Sequence, residues 1–129
     1  MEYLPNKPSM MTKRYHWIFD AENVPNQVGT DKKLVEQALR DIARLCGMTI
    51  VGGPLVLEGV PENPGVTGIC VVDFSHISIH TFSNPGEACI DVFSCKPFDP
   101  ELVHDYLKKT FQVTDEDALY VEVKYPGEK

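Results

Sequence analysis

The densest run of reactive side chains lies between residues 65 and 95, GVTGICVVDFSHISIHTFSNPGEACIDVFSC. It places Ser75, Ser78, Ser83 and Ser94, His76 and His80, Cys70, Cys89 and Cys95, and Asp73 and Asp91 among three short apolar runs. The corner Asp73-Phe74-Ser75 has no Gly and no Pro. A sharp reversal made without the usual turn residues implies a wider bend or stored backbone strain. A serine hydroxyl in a strained turn can attack the carbonyl of the residue before it, here Phe74. The ester that forms can eliminate to a dehydroalanine, which hydrolyses to a pyruvoyl group and ammonia, leaving the chain cut between 74 and 75. The acyl shift and the elimination both need proton transfers, and a neutral histidine is the side chain suited to them near pH 7.

Each of these residues also has an ordinary reading. A serine at a strand end is a turn former. His80 on an alternating strand can be a satisfied, half-buried histidine, and Cys89 and Cys95 can be inert thiols near a core. Asp91, between Ile90 and Val92, needs a partner if it is buried; otherwise it stands on an exposed strand face. Joint spacing is what lifts the set above its members.

That spacing carries a resemblance. Gly65-Val66-Thr67-Gly68, then Ser75-His76, Ile79-His80-Thr81 and Ile90-Asp91-Val92-Phe93-Ser94-Cys95 resemble the bacterial and archaeal S-adenosylmethionine decarboxylase family. The family pattern is roughly G-x-S-G-x-x-x-x-x-E-S-H-x-x-I-H-T-W, then D-V-F-x-C. From Ser75 the intervals are five residues to His80 and twenty to Cys95, as in the pattern. The resemblance implies a self-processing proenzyme cut between Phe74 and Ser75 into a β chain (1–74) and an α chain (75–129), with Ser75 the pyruvoyl precursor and His80 assisting the cut. The pyruvoyl group, with no metal and no pyridoxal phosphate, would take the substrate amine as a Schiff base and act as an electron sink for decarboxylation. Cys95 would return the proton, and His76 would orient the new N-terminal group. The substrate would be a small molecule held by His76, Phe82, Asn84 and Glu87, and the working form a homodimer. The product would be the aminopropyl donor for polyamine synthesis.

Several positions depart from the pattern. Phe74 stands where the family has Glu, although the attack uses the backbone carbonyl. Thr67 keeps the hydroxyl of the early serine. Phe82 replaces Trp, keeping a smaller aromatic face. Asn84 replaces a Glu that would grip ribose hydroxyls, and it lacks that charge; Glu87 lies close by. A pocket that has given up its nucleoside ligands is what a shift to arginine or ornithine decarboxylation would leave. A third reading is an uncleaved, silent relative that serves as a binding subunit. Retention of Ser75, His80 and Cys95 together argues against it.

The elements that must position these residues follow from pattern. The chain has 129 residues and a net charge of −7, one domain with a single core. No basic stripe exists to neutralise phosphates, which argues against nucleic acid, and no segment is long and apolar enough to span a membrane. Without a signal-peptide pattern the location is expected to be cytoplasmic and the four cysteines reduced. They form no C-x-x-C pair, so a structural zinc site is not expected. Residues 1–14 read as a flexible leader and 15–129 as one domain. Residues 15–20 read as a strand, 21–29 as a loop, and 31–46 as a helix capped by Thr30 or Asp31 and closed by Gly47. Residues 48–51 and 54–57 form a strand broken at Gly52-Gly53. Residues 66–72, 76–82 and 88–94 are strands, with Ile77, Ile79 and Thr81 facing away from His76, Ser78, His80 and Phe82. Asp99-Pro100 opens a second helix that buries Leu102, Val103, Tyr106 and Leu107. Residues 118–124 make a last strand with one wet face, Leu119, Val121 and Val123 alternating as the dry face against Tyr120, Glu122 and Lys124. This order fits an α+β two-layer sandwich, an antiparallel sheet with two helices packed on one face.

Overall fold

The structure, a computed structural model, describes residues 12–127. The leader expected at 1–14 falls mostly outside these residues; 12–14 carry no regular structure. Six strands and three helices follow in the order β1 (Tyr15–Glu22), α1 (Asn26–Gly29), α2 (Lys32–Leu45), β2 (Ile50–Glu58), β3 (Val66–Val72), β4 (Ser75–Phe82), β5 (Glu87–Ser94), α3 (Pro100–Phe111) and β6 (Ala118–Glu122). The strands form one sheet in the order β2-β3-β4-β5-β1-β6, with every neighbouring pair antiparallel. This is the α+β two-layer arrangement expected from the sequence. The one-turn helix α1 occupies part of the stretch read as a loop.

Period-two alternation decides the layers. Trp17 and Phe19 on β1, Val66, Cys70 and Val72 on β3, Ile77 and Ile79 on β4, and Ile90 and Val92 on β5 are buried. They meet Val35, Leu39 and Ile42 of α2 and Val103, Leu107 and Phe111 of α3 in one core. Asp31 caps α2 by accepting a hydrogen bond from the Leu34 amide, and Gly47 follows the helix with φ +69°, the left-handed residue expected there. Helix α2 lies so close to β3 that a Cβ on Gly68 would sit 2.8 Å from a Val35 methyl. Thr81 is the buried polar residue on the helix side of β4. Its hydroxyl donates to the Gly29 carbonyl at 2.5 Å and accepts from the Val66 amide at 2.8 Å, pinning α1 to the hairpin.

Two expectations are corrected. Leu102 is 49% exposed, because the buried stripe of α3 runs through Val103, Leu107 and Phe111 at four-residue intervals and Leu102 lies about 100° away from it. Leu119 and Val121 are 70% and 54% exposed. They pair with Asp20 and Ile18 and so lie on the sheet face away from the helices, at an edge strand. The break expected in β2 is present as register shifts against β3 between Ile50 and Leu55.

Candidate active site

The sheet face opposite the helices carries the reactive side chains in cross-strand rows. One row runs Val71, His76, Phe93, His16; the next Leu55, Ile69, Ser78, Asp91, Ile18, Val121; the third Leu57, Thr67, His80, Cys89, Asp20, Leu119. Residues alternate on a strand, so these side chains share one face only because the registers align.

At one end of this face β3 turns into β4 through Asp73 and Phe74, and Val72 pairs with Ser75. The expected strain is present and sits on the serine, at φ +147°, a conformation that costs an L-residue of order 1–3 kcal/mol. The turn is fixed from three sides. Asp73 exchanges hydrogen bonds with Thr49, its amide donating to the Thr49 carbonyl at 2.9 Å and its carboxylate accepting from the Thr49 amide at 3.0 Å. The half-buried Phe74 ring packs on the core with the Lys96 ammonium 5.1 Å above it. The Cys95 amide donates to the Phe74 carbonyl oxygen at 3.0 Å. Ser94, register partner of Ser75, is fully buried, and its hydroxyl caps the Lys96 amide at 2.8 Å, which shapes the bend that delivers Cys95.

Next to this corner Asp91 is bracketed. His16 and His76 flank Phe93 from the two neighbouring strands, each ring 5.2 Å from the Phe93 ring, His76 stacked and His16 edge-on. Both histidines are diagonal to Asp91, within reach of long side chains. Their Nε2 atoms lie 3.3 Å (His16) and 3.6 Å (His76) from Asp91 Oδ1. Ser78 donates to Asp91 Oδ2 at 2.5 Å, and His16 Nδ1 lies 2.7 Å from the Tyr125 hydroxyl. The Ser75 hydroxyl lies 3.4 Å from His76 Nδ1. Asp91, left without a role by the sequence, therefore sits at the centre of a cluster.

The other expected residues collect at the far end of β4. His80 Nδ1 lies 2.9 Å from the Thr67 hydroxyl, and its ring stacks on Phe82 at 6.3 Å. Phe82 pairs with the half-buried Glu87, and Asn84 is exposed in the turn between them. His80 is five residues from Ser75 along a strand, ~17 Å at about 3.3 Å per residue. The structure thus brings Ser75, Phe74, Cys95 and His76 together, and separately His80, Thr67, Phe82, Asn84 and Glu87. It does not bring the two groups together within one chain.

Sequence reasoning missed His16 and Tyr125, and gave Ser78 no role. The signal for His16 was its parity, opposite to Trp17 and Phe19 on an aromatic strand; Tyr125 follows β6 and had none. The thiols differ sharply. Burial pushes Cys46 up to about 12, against the pull of Lys96, and raises Cys70. Burial also raises Cys89, with the Asp20 and Asp91 carboxylates adding to it, while Cys95 is exposed. Among the described residues no group of three or more His, Cys, Asp or Glu side chains is placed to hold a metal ion.

The family model of S-adenosylmethionine decarboxylase matches residues 15–122. An S-adenosylmethionine decarboxylase proenzyme of Symbiobacterium thermophilum is 36% identical over 94 residues, covering 72% of this chain and 69% of that one. The proenzyme of Methanococcus aeolicus is 34% identical over 105 residues, covering 77% and 83%. The fold matches a crystal structure of adenosylmethionine decarboxylase from Aquifex aeolicus with a TM-score of 0.68 at 23% identity, over 92% of this chain and 98% of that one. The chain belongs to the S-adenosylmethionine decarboxylase family.

Proposed function

We propose that this protein is a self-cleaving, pyruvoyl-dependent decarboxylase of S-adenosylmethionine that cuts itself between Phe74 and Ser75. The observation that carries the reading is the corner itself. Ser75 is held at φ +147°, and the carbonyl it would attack already accepts the Cys95 amide at 3.0 Å. Attack turns that oxygen into an oxyanion, and a fixed N–H aimed at it stabilises the developing charge. The corner therefore fits a group made from Ser75, which would begin the second chain between His76 and the Ser94–Cys95 bend. A pyruvoyl group supplies an electron sink for the loss of carbon dioxide. Cys95, whose thiol is exposed and whose amide binds the same corner, would return the proton. The names of the relatives support S-adenosylmethionine as substrate.

The working unit in this reading is a homodimer. His80 and Phe82, ~17 Å or more along the strand from Ser75, can serve that serine only from a second copy. The exposed Leu55, Leu57, Ile69, Val71, Leu119 and Val121 lie on the same face as the reactive side chains and give a second copy apolar surface to cover.

The test is the intact mass of the purified protein under denaturing conditions, followed by release of labelled carbon dioxide. Two fragments meeting at 74 and 75, the second starting in a pyruvoyl group, and turnover of S-adenosylmethionine are expected. A single chain at full mass would bring forward the silent subunit, and much faster turnover of arginine or ornithine would replace the substrate.

A further inference from the structure

We propose that His76 is the base that takes the Ser75 proton in the first step of self-cleavage, and that Asp91 holds it in the tautomer this requires. The inference rests on the self-cleavage reading above. A hydroxyl must lose its proton as it attacks a carbonyl, and the acceptor must stand within hydrogen-bond reach in the same turn. His76 Nδ1, 3.4 Å from the Ser75 hydroxyl, is the ring nitrogen so placed within the chain, where His80 is ~17 Å away along the strand; a second copy's His80 is left for the later removal of the α-hydrogen.

An imidazole accepts on Nδ1 only if its other nitrogen carries the hydrogen. His76 Nε2 faces Asp91 Oδ1 at 3.6 Å, and a carboxylate, having acceptors only, selects the Nε2–H form. Asp91 is itself held by one hydrogen bond and has a second histidine as neighbour. Ser78 donates to its other oxygen at 2.5 Å, and His16 Nε2 stands 3.3 Å from Oδ1 with its own Nδ1 at the Tyr125 hydroxyl. Oδ1 is buried and makes no hydrogen bond of good geometry among the described residues, so it is available when the His76 ring moves the short distance toward it. Serine, histidine and aspartate here stand in the order of a nucleophile, its base and the group that orients the base.

The step balances within the chain. The Ser75 proton passes to His76 Nδ1 as Oγ bonds to the Phe74 carbonyl carbon, and the oxyanion is held by the Cys95 amide. The carbon–nitrogen bond of the peptide then breaks, and the imidazolium returns the proton to the departing Ser75 nitrogen. The product is an ester with a free amine. Removal of the α-hydrogen comes later and does not use this relay. His76 is the catalytic residue in this step; Asp91, Ser78 and His16 are positioning residues.

The experiment follows cleavage by mass from the time of synthesis. The native chain should cut, and His76→Ala should cut about 100-fold more slowly or less, with added imidazole restoring part of the rate. Hydroxylamine, which cuts esters, should not speed the His76→Ala chain, because no ester has formed. In an uncuttable Ser75→Ala background, nitrogen NMR should show the Nε2–H form of His76, and adding Asp91→Ala should leave a mixture of forms. That readout does not move if Asp91 merely supports the fold. A native chain that stays whole overturns self-cleavage and the relay with it. A native chain that cuts overturns the relay alone if His76→Ala keeps pace with it, or if hydroxylamine splits the variant at 74–75. An Nδ1–H His76 overturns the role of Asp91.

Discussion

The Cys95 amide donates a 3.0 Å hydrogen bond to the Phe74 carbonyl oxygen, and the same residue carries the exposed thiol proposed above as the proton donor. The two roles can be split. Cys95→Ala keeps the donor and should cut at the native rate yet lose most decarboxylation. Cys95→Pro removes the N–H and should slow cutting about 100-fold or more. Mass time courses and labelled carbon dioxide release check both, with circular dichroism to establish that each variant folds. Full turnover in Cys95→Ala would move the proton donor elsewhere, and unimpaired cutting in Cys95→Pro would remove the amide from the mechanism.

The strain at Ser75 is testable without any cleavage. Ser75→Ala and Ser75→Gly both lack the hydroxyl, so both should stay whole. Glycine accepts φ +147° without steric cost, and alanine does not. Ser75→Gly is therefore expected to be more stable than Ser75→Ala by about 1 kcal/mol, after allowing for the greater unfolded-state entropy of glycine. Urea titrations of the two variants measure the difference. Equal midpoints would mean the corner is relaxed.

Much of this was legible in the chain. Ile77, Ile79 and Thr81 separate from His76, Ser78 and His80 by period alone, and Asp31 and Gly47 mark the ends of α2 because caps are local. The corner at Ser75 announced itself by lacking turn residues. What was not legible depends on strand order. His16 and Asp91 lie 75 positions apart in sequence and meet only because β1 inserts beside β5. Leu119 and Val121 read as a dry face because alternation cannot say whether a helix covers an edge strand. Nor does spacing along β4 reveal how far His80 stands from Ser75 within one chain; a fixed interval of five on a strand is ~17 Å, a distance and not a contact.

The four thiols should label in a fixed order. Cys95 is exposed, Cys89 is half-buried between two carboxylates that raise it further, and Cys46 and Cys70 lie in the core, Cys46 pushed up to about 12. Reactivity needs both access and thiolate. Iodoacetamide at neutral pH should therefore modify Cys95 first and Cys89 slowly, reaching Cys46 and Cys70 only after unfolding. Peptide mapping gives the order, and Cys89 reacting ahead of Cys95 would contradict the described packing.

The pair that joins the two long helices sets how stability should depend on pH. The Tyr106 hydroxyl on α3 donates to Asp41 Oδ2 on α2 at 2.6 Å, and Gln37 and Arg44 donate to Oδ1 at 2.9 and 2.8 Å. Burial raises the Asp41 carboxyl, but these hydrogen bonds and the Arg44 charge outweigh it and hold the group below its ordinary value. Burial, and the bond to Asp41, push the Tyr106 phenol up to about 12. A depressed carboxyl stabilises the fold above its unfolded value of about 4, and that contribution is lost as pH falls through the folded value. A raised phenol contributes fully below about pH 10 and loses its contribution as pH climbs toward about 12. Tyr106→Phe removes the bond and should cost about 1.5–3 kcal/mol at pH 7. Measured by urea titration, the gap from the native chain should be flat between about pH 5 and 9 and narrow on either side. A gap as large at pH 3 as at pH 7 would mean that the lost stability came from packing and not from the bond to the Asp41 carboxylate.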